Sequence, residues 1–271
     1  MKNYFITEDK NIYYRKFGEG PPAILLHGIS NSSKTWEGFS KKLSKIRTVY
    51  LIDLRGHGKS DHFESYRWID FSNDIVNFIE QNINNKVEII GHSLGACIGA
   101  QVGQMLKSNI KSLILEDPPF FHHQRYGVEG ISQRFKYNLS LSKQFNSKEK
   151  ILEKLMGNSK LSKVKNLELI SENLANLDHK VLEETISGIA LESFDAIKII
   201  SEISTIRTLL MVGDEKKTGG VLIESEIKKI ENIMQNLEII KFENIGHNIH
   251  DEIPEEFLKE SGHSKIVLKE V

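Results

Sequence analysis

The chain has 271 residues, 39% hydrophobic and 27% charged, with 36 basic against 37 acidic side chains for a net charge of −1. That length suits one domain carrying a large insertion, and the charge balance excludes the basic excess of a general nucleic-acid binder. The single cysteine, Cys97, rules out an intramolecular disulfide and fits a reducing, cytoplasmic setting, while no run approaches the roughly 18 apolar residues of a membrane span and the polar start lacks a signal-peptide pattern.

Residues 4–7 and 11–17 read as a leading hairpin, and the GEGPP stretch at 18–22 turns the chain onward. Six short apolar runs follow, at 23–26 (AILL), 49–54 (VYLIDL), 87–90 (VEII), 113–115 (LIL), 208–212 (TLLMV) and 237–242 (LEIIKF). Most are continuous rather than alternating in hydrophobicity, as strands buried on both faces should be. Helical patterns at 36–44, 68–81, 94–106 and 224–235 lie between them. Such alternation predicts an α/β fold, a mostly parallel central sheet with helices on both faces. From 118 to 204 the rhythm breaks into polar, helix-like periodicity, for example at 147–156, 163–174 and 178–191. This is too long for a loop. It predicts an inserted helical subdomain, with the core formed by 1–117 and 205–271. The tail from 259 allows a short strand at 265–271 or a loose end.

Four stretches at the ends of these runs carry the chemistry. Gly91-His92-Ser93-Leu94-Gly95 follows VEII and opens the helix LGACIGAQVGQML. A chain that reverses this sharply from strand to helix strains the serine backbone and needs glycine two residues to either side. The hydroxyl then stands at a helix N-terminus, where a developing anion is favoured. A bare G-x-S-x-G arises often by chance. The strand before it, the helix after it and the small residues Ala96, Gly99, Ala100 and Gly103 make it specific here. Leu26-His27-Gly28-Ile29 ends an earlier strand. Asp53-Leu54-Arg55-Gly56-His57-Gly58-Lys59-Ser60 ends the next. Gly246-His247-Asn248 follows the last.

Together these stretches resemble the α/β-hydrolase family over the core from about 23 to 257. The resemblance implies a small-molecule substrate, no cofactor and a helical lid formed by 118–204. It implies Ser93 as nucleophile, His247 as general base and acid, and the N–H groups of Ile29 and Leu94 as the oxyanion hole. Trp36 resembles the aromatic that often follows the His-Gly loop, and Glu252, Pro254 and Phe257 echo the family's continuation after the histidine. His27 and the Asp53–Ser60 stretch are expected to shape loops. Phe120 and Phe121, with Tyr126, stand at the entry of the insertion. They are expected either to line an acyl pocket or to form ordinary core.

The acid departs from the family pattern. The G-x-x-D position after TLLMV holds Lys216. Asp214 in a shortened loop and Asp117 in LILEDPP, at the end of the neighbouring strand, are both able to reach the histidine. Asp117 sits on the strand end itself, where geometry is more rigid; Glu215 is a more remote substitute. An Asp-Pro turn starter is the ordinary role of an aspartate at 117, and a turn-capping residue that of one at 214. A chain with no working acid would instead be a non-catalytic ligand-binding member. A C–C bond hydrolase or a haloperoxidase-like enzyme would use the same residues as an esterase. A dehalogenase or epoxide hydrolase would carry aspartate in place of Ser93. His122, His123, His247 and His250 lack a metal-ligand framework of known spacing, so no metal is expected. Oligomeric state is not legible.

Overall fold

The computed structural model describes residues 3–126, 133–158, 165–216 and 219–263. The expected tail segment at 265–271 and part of the turn after Lys216 lie outside them, as does the side chain of Tyr126.

Eight strands form one sheet: β1 (Asn3–Thr7), β2 (Lys10–Phe17), β3 (Pro22–Leu26), β4 (Thr48–Ile52), β5 (Val87–His92), β6 (Ile110–Glu116), β7 (Thr208–Val212) and β8 (Leu237–Lys241). Their spatial order is β1-β2-β4-β3-β5-β6-β7-β8. The β1–β2 and β2–β4 pairs are antiparallel and every other pair is parallel. β6 starts three residues earlier than its apolar run predicts. Exposed Lys111 and polar Ser112 hide its beginning, and Ser112 is satisfied inside the sheet by Glu88 of β5 at 2.8 Å.

The helices of the core are α1 (Glu37–Leu43), α2 (Trp68–Asn82) and α3 (Leu94–Met105) before β6. The insertion between β6 and β7 contributes α4 (His122–Tyr126), α5 (Gln133–Gln144), α6 (Lys148–Met156), α7 (Leu167–Ala175), α8 (His179–Ser187) and α9 (Ala196–Glu202). The chain closes with α10 (Glu224–Ile233), α11 (Ile249–Glu252) and α12 (Pro254–Glu260).

The continuous apolar runs are explained by burial on two faces. Along β3, Ile24 and Leu26 join a core with α2, α3 and the insertion, while Ala23 and Leu25 join a second core with Phe39 and Leu43 of α1 and Phe257 of α12. Leu141, Leu155, Leu174 and Leu182 of the insertion belong to the first of these cores, so the insertion shares the main apolar cluster. Polar bonds fasten it as well. The Tyr66 hydroxyl bonds Asp178 at 2.5 Å, the Tyr66 N–H donates to Glu184 at 2.8 Å, and Ser32 donates to Asn173 at 2.7 Å.

The strand order sets where a ligand can enter. From β3 the chain moves outward to β4, then returns to the other side of β3 as β5. The loops after β3 and β5 therefore part company at the carboxyl ends of adjacent strands, which opens a crevice there.

Candidate active site

Ser93 occupies the turn between β5 and α3 with φ 54° and ψ −117°. A side chain is strained in that region, and the surrounding packing must hold it there. The two flanking glycines show how tight the turn is. A Cβ on Gly91 would lie 2.3 Å from the Gly95 carbonyl oxygen, and one on Gly95 would lie 2.3 Å from that of Leu26. The Ser93 N–H donates to the Glu116 carbonyl at 2.9 Å, which ties the turn to β6.

Ile29 and Leu94 line the same cavity as Ser93. Among the described residues neither of their N–H groups donates a hydrogen bond. The loops behind them are held by buried polar residues. His27 Nε2 accepts from the Leu54 N–H at 3.0 Å, and His57 Nε2 accepts from the Ser30 N–H at 3.2 Å. The Asp53 carboxylate takes the N–H groups of Ser33 and Lys59 at 2.7 and 2.9 Å. Arg55 is clamped by Asp74 at 2.6 and 2.7 Å. These groups are spent on loop shape and leave the chemistry to others.

His247 Nδ1 meets Asp117 Oδ2 at 2.7 Å. A carboxylate only accepts, so the proton sits on Nδ1 and leaves Nε2 of the neutral ring as an acceptor. Asp117 is fully buried and has φ 43°, a left-handed turn at the strand end. The same oxygen also accepts the Val221 N–H at 3.0 Å. Asp214 is engaged elsewhere. Its Oδ1 accepts from the Lys216 N–H at 2.9 Å and its Oδ2 from the Asn244 N–H at 3.1 Å, so it braces the loop that leads to His247. Lys216, at the family's usual acid position, closes that same turn. Ser93 and His247 line one cavity, and among the described residues no hydrogen bond joins the Ser93 hydroxyl to the His247 ring. Such bonds are often long in the absence of substrate.

A second acid–histidine pair lies beside the first. His250 Nδ1 meets the two Glu116 carboxylate oxygens at 2.7 and 2.9 Å, and the His250 N–H adds a third bond at 2.9 Å. Its ring stacks on Trp36 with centroids 4.0 Å apart. His92, the residue before Ser93, sits between the pairs, 4.6 Å from the His247 ring and 5.1 Å from the His250 ring. Its Nε2–H donates to the His247 carbonyl at 3.1 Å. Burial, with His247 and His250 adding to it, drives the His92 pKa well below the ordinary value, so this ring is neutral. The spacing of His247 and His250 was visible in the sequence. Asp117 was one of the two acids the sequence offered His247; Glu116 as the partner of His250 became visible only with the strand end folded.

The cavity holds about 380 Å³ and is walled by the two loops, by Gly219–Val221 and by the insertion, which supplies Pro119, His122, His123, Arg134, Phe135, Thr185 and Leu191. Phe120 and Phe121 are not among the residues of its wall, so of the two places expected for these rings the acyl pocket is corrected and the core holds. They are 1% and 3% exposed and pack in the main core, where Phe120 stacks on Phe194 with centroids 6.5 Å apart. Burying two aromatic rings in apolar surroundings is worth several kcal/mol more than leaving them on a wet wall, roughly 1.5–3 kcal/mol each. Their polar and proline neighbours therefore take the wall. Arg134 carried no signal in the sequence, where it reads as one more charge in a polar helix. A larger, open groove within the insertion, lined by Tyr137, Phe145 and Lys150, lies apart from these residues. Among the described residues no group of three His, Cys, Asp or Glu side chains is gathered to hold a metal ion, and no helix is long and apolar enough to cross a membrane.

The sheet order, the strained serine after its central strand and the histidine after its last strand define an α/β-hydrolase architecture. The α/β-hydrolase fold model matches residues 21–216, and the chain belongs to that family. It is 32% identical over 104 residues to a 2-(acetamidomethylene)succinate hydrolase of Mesorhizobium japonicum, covering 38% of this chain and 37% of that protein. It is 35% identical over 103 residues to an uncharacterized protein of Mycobacterium tuberculosis, covering 38% of this chain and 30% of that one. The matched segments thus span well under half the length of these curated relatives. Among solved structures, a deformylase from Pseudomonas putida superposes with a TM-score of 0.77 at 19% identity, covering 96% of this chain and 100% of that one. An esterase from Exiguobacterium antarcticum superposes with a TM-score of 0.76 at 22% identity, covering 99% of this chain and 100% of the other. At these identities the structural likeness speaks for the fold.

Proposed function

We propose that this chain is a serine hydrolase that cleaves a small ester, thioester or lactone through an acyl-enzyme on Ser93. The observation that carries this reading is the 2.7 Å bond from His247 Nδ1 to buried Asp117, in a loop that shares a cavity with the strained Ser93. With Nδ1 held by Asp117, Nε2 of His247 takes the proton of Ser93 as its oxygen attacks the substrate carbonyl. The tetrahedral oxyanion accepts hydrogen bonds from the N–H groups of Ile29 and Leu94. As the intermediate collapses, His247 gives the proton to the leaving group and the acyl group stays on Ser93. Water then enters, loses a proton to the same nitrogen and attacks the acyl carbonyl. The released product is a carboxylic acid, and Ser93 recovers its proton.

The helices between β6 and β7 act as a lid in this reading, because Arg134, Phe135, Thr185 and Leu191 form part of the wall of the cavity that holds Ser93. A cavity of this size takes a modest acyl compound better than a long lipid chain. In this reading the enzyme is cytoplasmic, which the single, buried Cys97 suits, and it acts on a small molecule with no nucleic-acid or membrane partner.

The test is covalent labelling with a fluorophosphonate probe, combined with turnover of p-nitrophenyl acetate. Wild type should label at one site and Ser93→Ala should not, with turnover lowered by roughly 10³-fold or more. A folded wild-type protein that neither labels nor turns over the ester would sink the hydrolase reading.

A further inference from the structure

The cavity that holds Ser93 and His247 has no carboxylate on its wall among the described residues. Asp117, which bonds His247 of that wall, is fully buried and engaged with His247 and Val221. Among the described residues the one permanent charge on the wall is the guanidinium of Arg134, in the first turn of α5. Among the described residues Arg15, Arg47, Arg55, Arg67 and Arg125 each have an anionic partner, and Arg207, which is not on the cavity wall, has none. Arg55 is bound by Asp74 at 2.6 Å, and Arg125 by Glu226 at 3.1 Å. Among the described residues no side chain pairs with Arg134.

Two further observations show that this charge is not simply out in water. Arg134 keeps accessible surface because it borders the open cavity, yet the protein atoms around it desolvate the guanidinium enough to lower its pKa from the ordinary value. Its positive charge also reaches the reacting centre, where it helps to depress the pKa of His92 beside His247. An unpaired guanidinium on a cavity wall has its N–H donors open to a bound anion.

We propose that Arg134 is a substrate-binding residue that pairs with a carboxylate on the substrate, so that the compound cleaved at Ser93 is a monoanionic acyl compound. This rests on the hydrolase reading and names the substrate class for the same site. The charge count favours a carboxylate over a phosphoryl group. Arg134 supplies one positive charge, and the adjoining His122 and His123 are held neutral by burial, so they add hydrogen-bonding capacity without a second cation. A guanidinium fork matches a planar carboxylate through two parallel N–H bonds. The start of α5 adds the positive end of a helix dipole. A neutral ester would fill the same volume and leave Arg134 unpaired.

Monomethyl succinate and methyl butyrate provide a near-isosteric test, because they differ mainly in one carboxylate. Wild type should favour monomethyl succinate by at least tenfold in kcat/KM. In Arg134→Gln that preference should collapse by about tenfold to a hundredfold, the range expected for a lost charge-assisted hydrogen bond, chiefly through KM. Arg134→Lys keeps the charge without the fork and should retain part of the preference. A second arm does not need turnover. Calorimetry of succinate on Ser93→Ala should show binding that weakens with salt, and the Ser93→Ala/Arg134→Gln double variant should lose it. An unchanged preference in Arg134→Gln, equal succinate binding by the single and double variants, or tighter binding of inorganic phosphate than of succinate to Ser93→Ala would each overturn the assignment. If neither ester is cleaved and Ser93 does not label, the hydrolase reading fails while the calorimetric arm still decides Arg134.

Discussion

Glu116 and Asp117 are adjacent at the end of β6, and each holds a histidine of one short loop at 2.7 Å, yet the two pairs have different surroundings. His250 has a side chain 3% exposed, stacked on Trp36, with a buried Nε2 that has no partner among the described residues. His247 has a side chain 16% exposed on the wall of the cavity that contains Ser93. Successive side chains leave a strand on opposite faces, and the left-handed φ of 43° at Asp117 turns the chain away at that point. One carboxylate therefore serves the packed side of the loop and the other serves the open side. Identical acid–histidine chemistry is packed away in one place and, in the proposed mechanism, serves proton transfer in the other. Access to the free ring nitrogen makes the difference.

The sharpest way to break this comparison is to neutralise the two carboxylates separately. Asp117→Asn should lower turnover of p-nitrophenyl acetate by roughly 10⁴-fold, since an amide favours the wrong tautomer of His247 and offers no charge to the imidazolium. The variant should stay folded. A loss below tenfold would mean that another group orients His247.

Histidines with no carboxylate partner offer the next contrast, and they predict acid sensitivity of the fold. His27 and His57 each accept a backbone N–H at Nε2, so a proton there would set a donor against a donor. Burial is the main cause of their lowered pKa values, about 4 for His27 and about 3 for His57, from 6.5. Above pH 6.5 both states are neutral and the two rings contribute no pH dependence. Below it the unfolded chain binds protons that the folded chain refuses, so stability falls with pH. The loss continues down to about pH 4 for His27 and about pH 3 for His57. For His27 alone it reaches on the order of 3 kcal/mol, at about 1.4 kcal/mol per pH unit. Urea midpoints measured from pH 7 to pH 5 should decline; a flat profile would contradict the neutral, buried assignment.

Glu116→Gln probes the packed pair. The amide retains one acceptor for three hydrogen bonds from His250, and the loss should show as about 1–3 kcal/mol of stability. Turnover should fall by less than about tenfold if the His92 bridge to the His247 carbonyl holds the loop in place. A kinetic loss as large as that of Asp117→Asn would show that the two pairs work as one unit.

The sequence made the nucleophile legible because its geometry is local. Five residues at fixed spacing, after an apolar run and before a helix of small residues, leave little freedom; Gly91 is needed for a contact within that same turn and Gly95 for the close approach to the end of β3. The strands were legible for a related reason, since burial on both faces writes continuous apolar runs. Partners brought together by the folded chain were legible only as alternatives. Whether Asp117 or Asp214 meets His247 depends on the backbone turn at 117 and on the Lys216 and Asn244 amides that occupy Asp214. Phe120 and Phe121 invited a pocket because rings near a site entry can face either way, and core packing took them. Arg134 could not be distinguished from other insertion cations until the fold put it on the wall of the cavity that holds Ser93.

Asp214 therefore provides the smallest expected effect and the cleanest control on the comparison. Its two oxygens each accept one backbone N–H, from Lys216 and from Asn244, and its own N–H donates to the Ile245 carbonyl at 2.7 Å. Asp214→Asn keeps one acceptor and loses the other, a cost of about 1 kcal/mol of stability at a half-exposed loop. His247 keeps Asp117, so kcat should stay within about threefold of wild type and the acid limb of the pH–rate profile should not move. The loop before His247 does lose a brace, so any kinetic loss should grow with temperature as that loop loosens. A large fall in kcat at low temperature, with the Asp117→Asn variant still active, would reverse the roles of the two aspartates and make the 2.7 Å Asp117 contact the structural one.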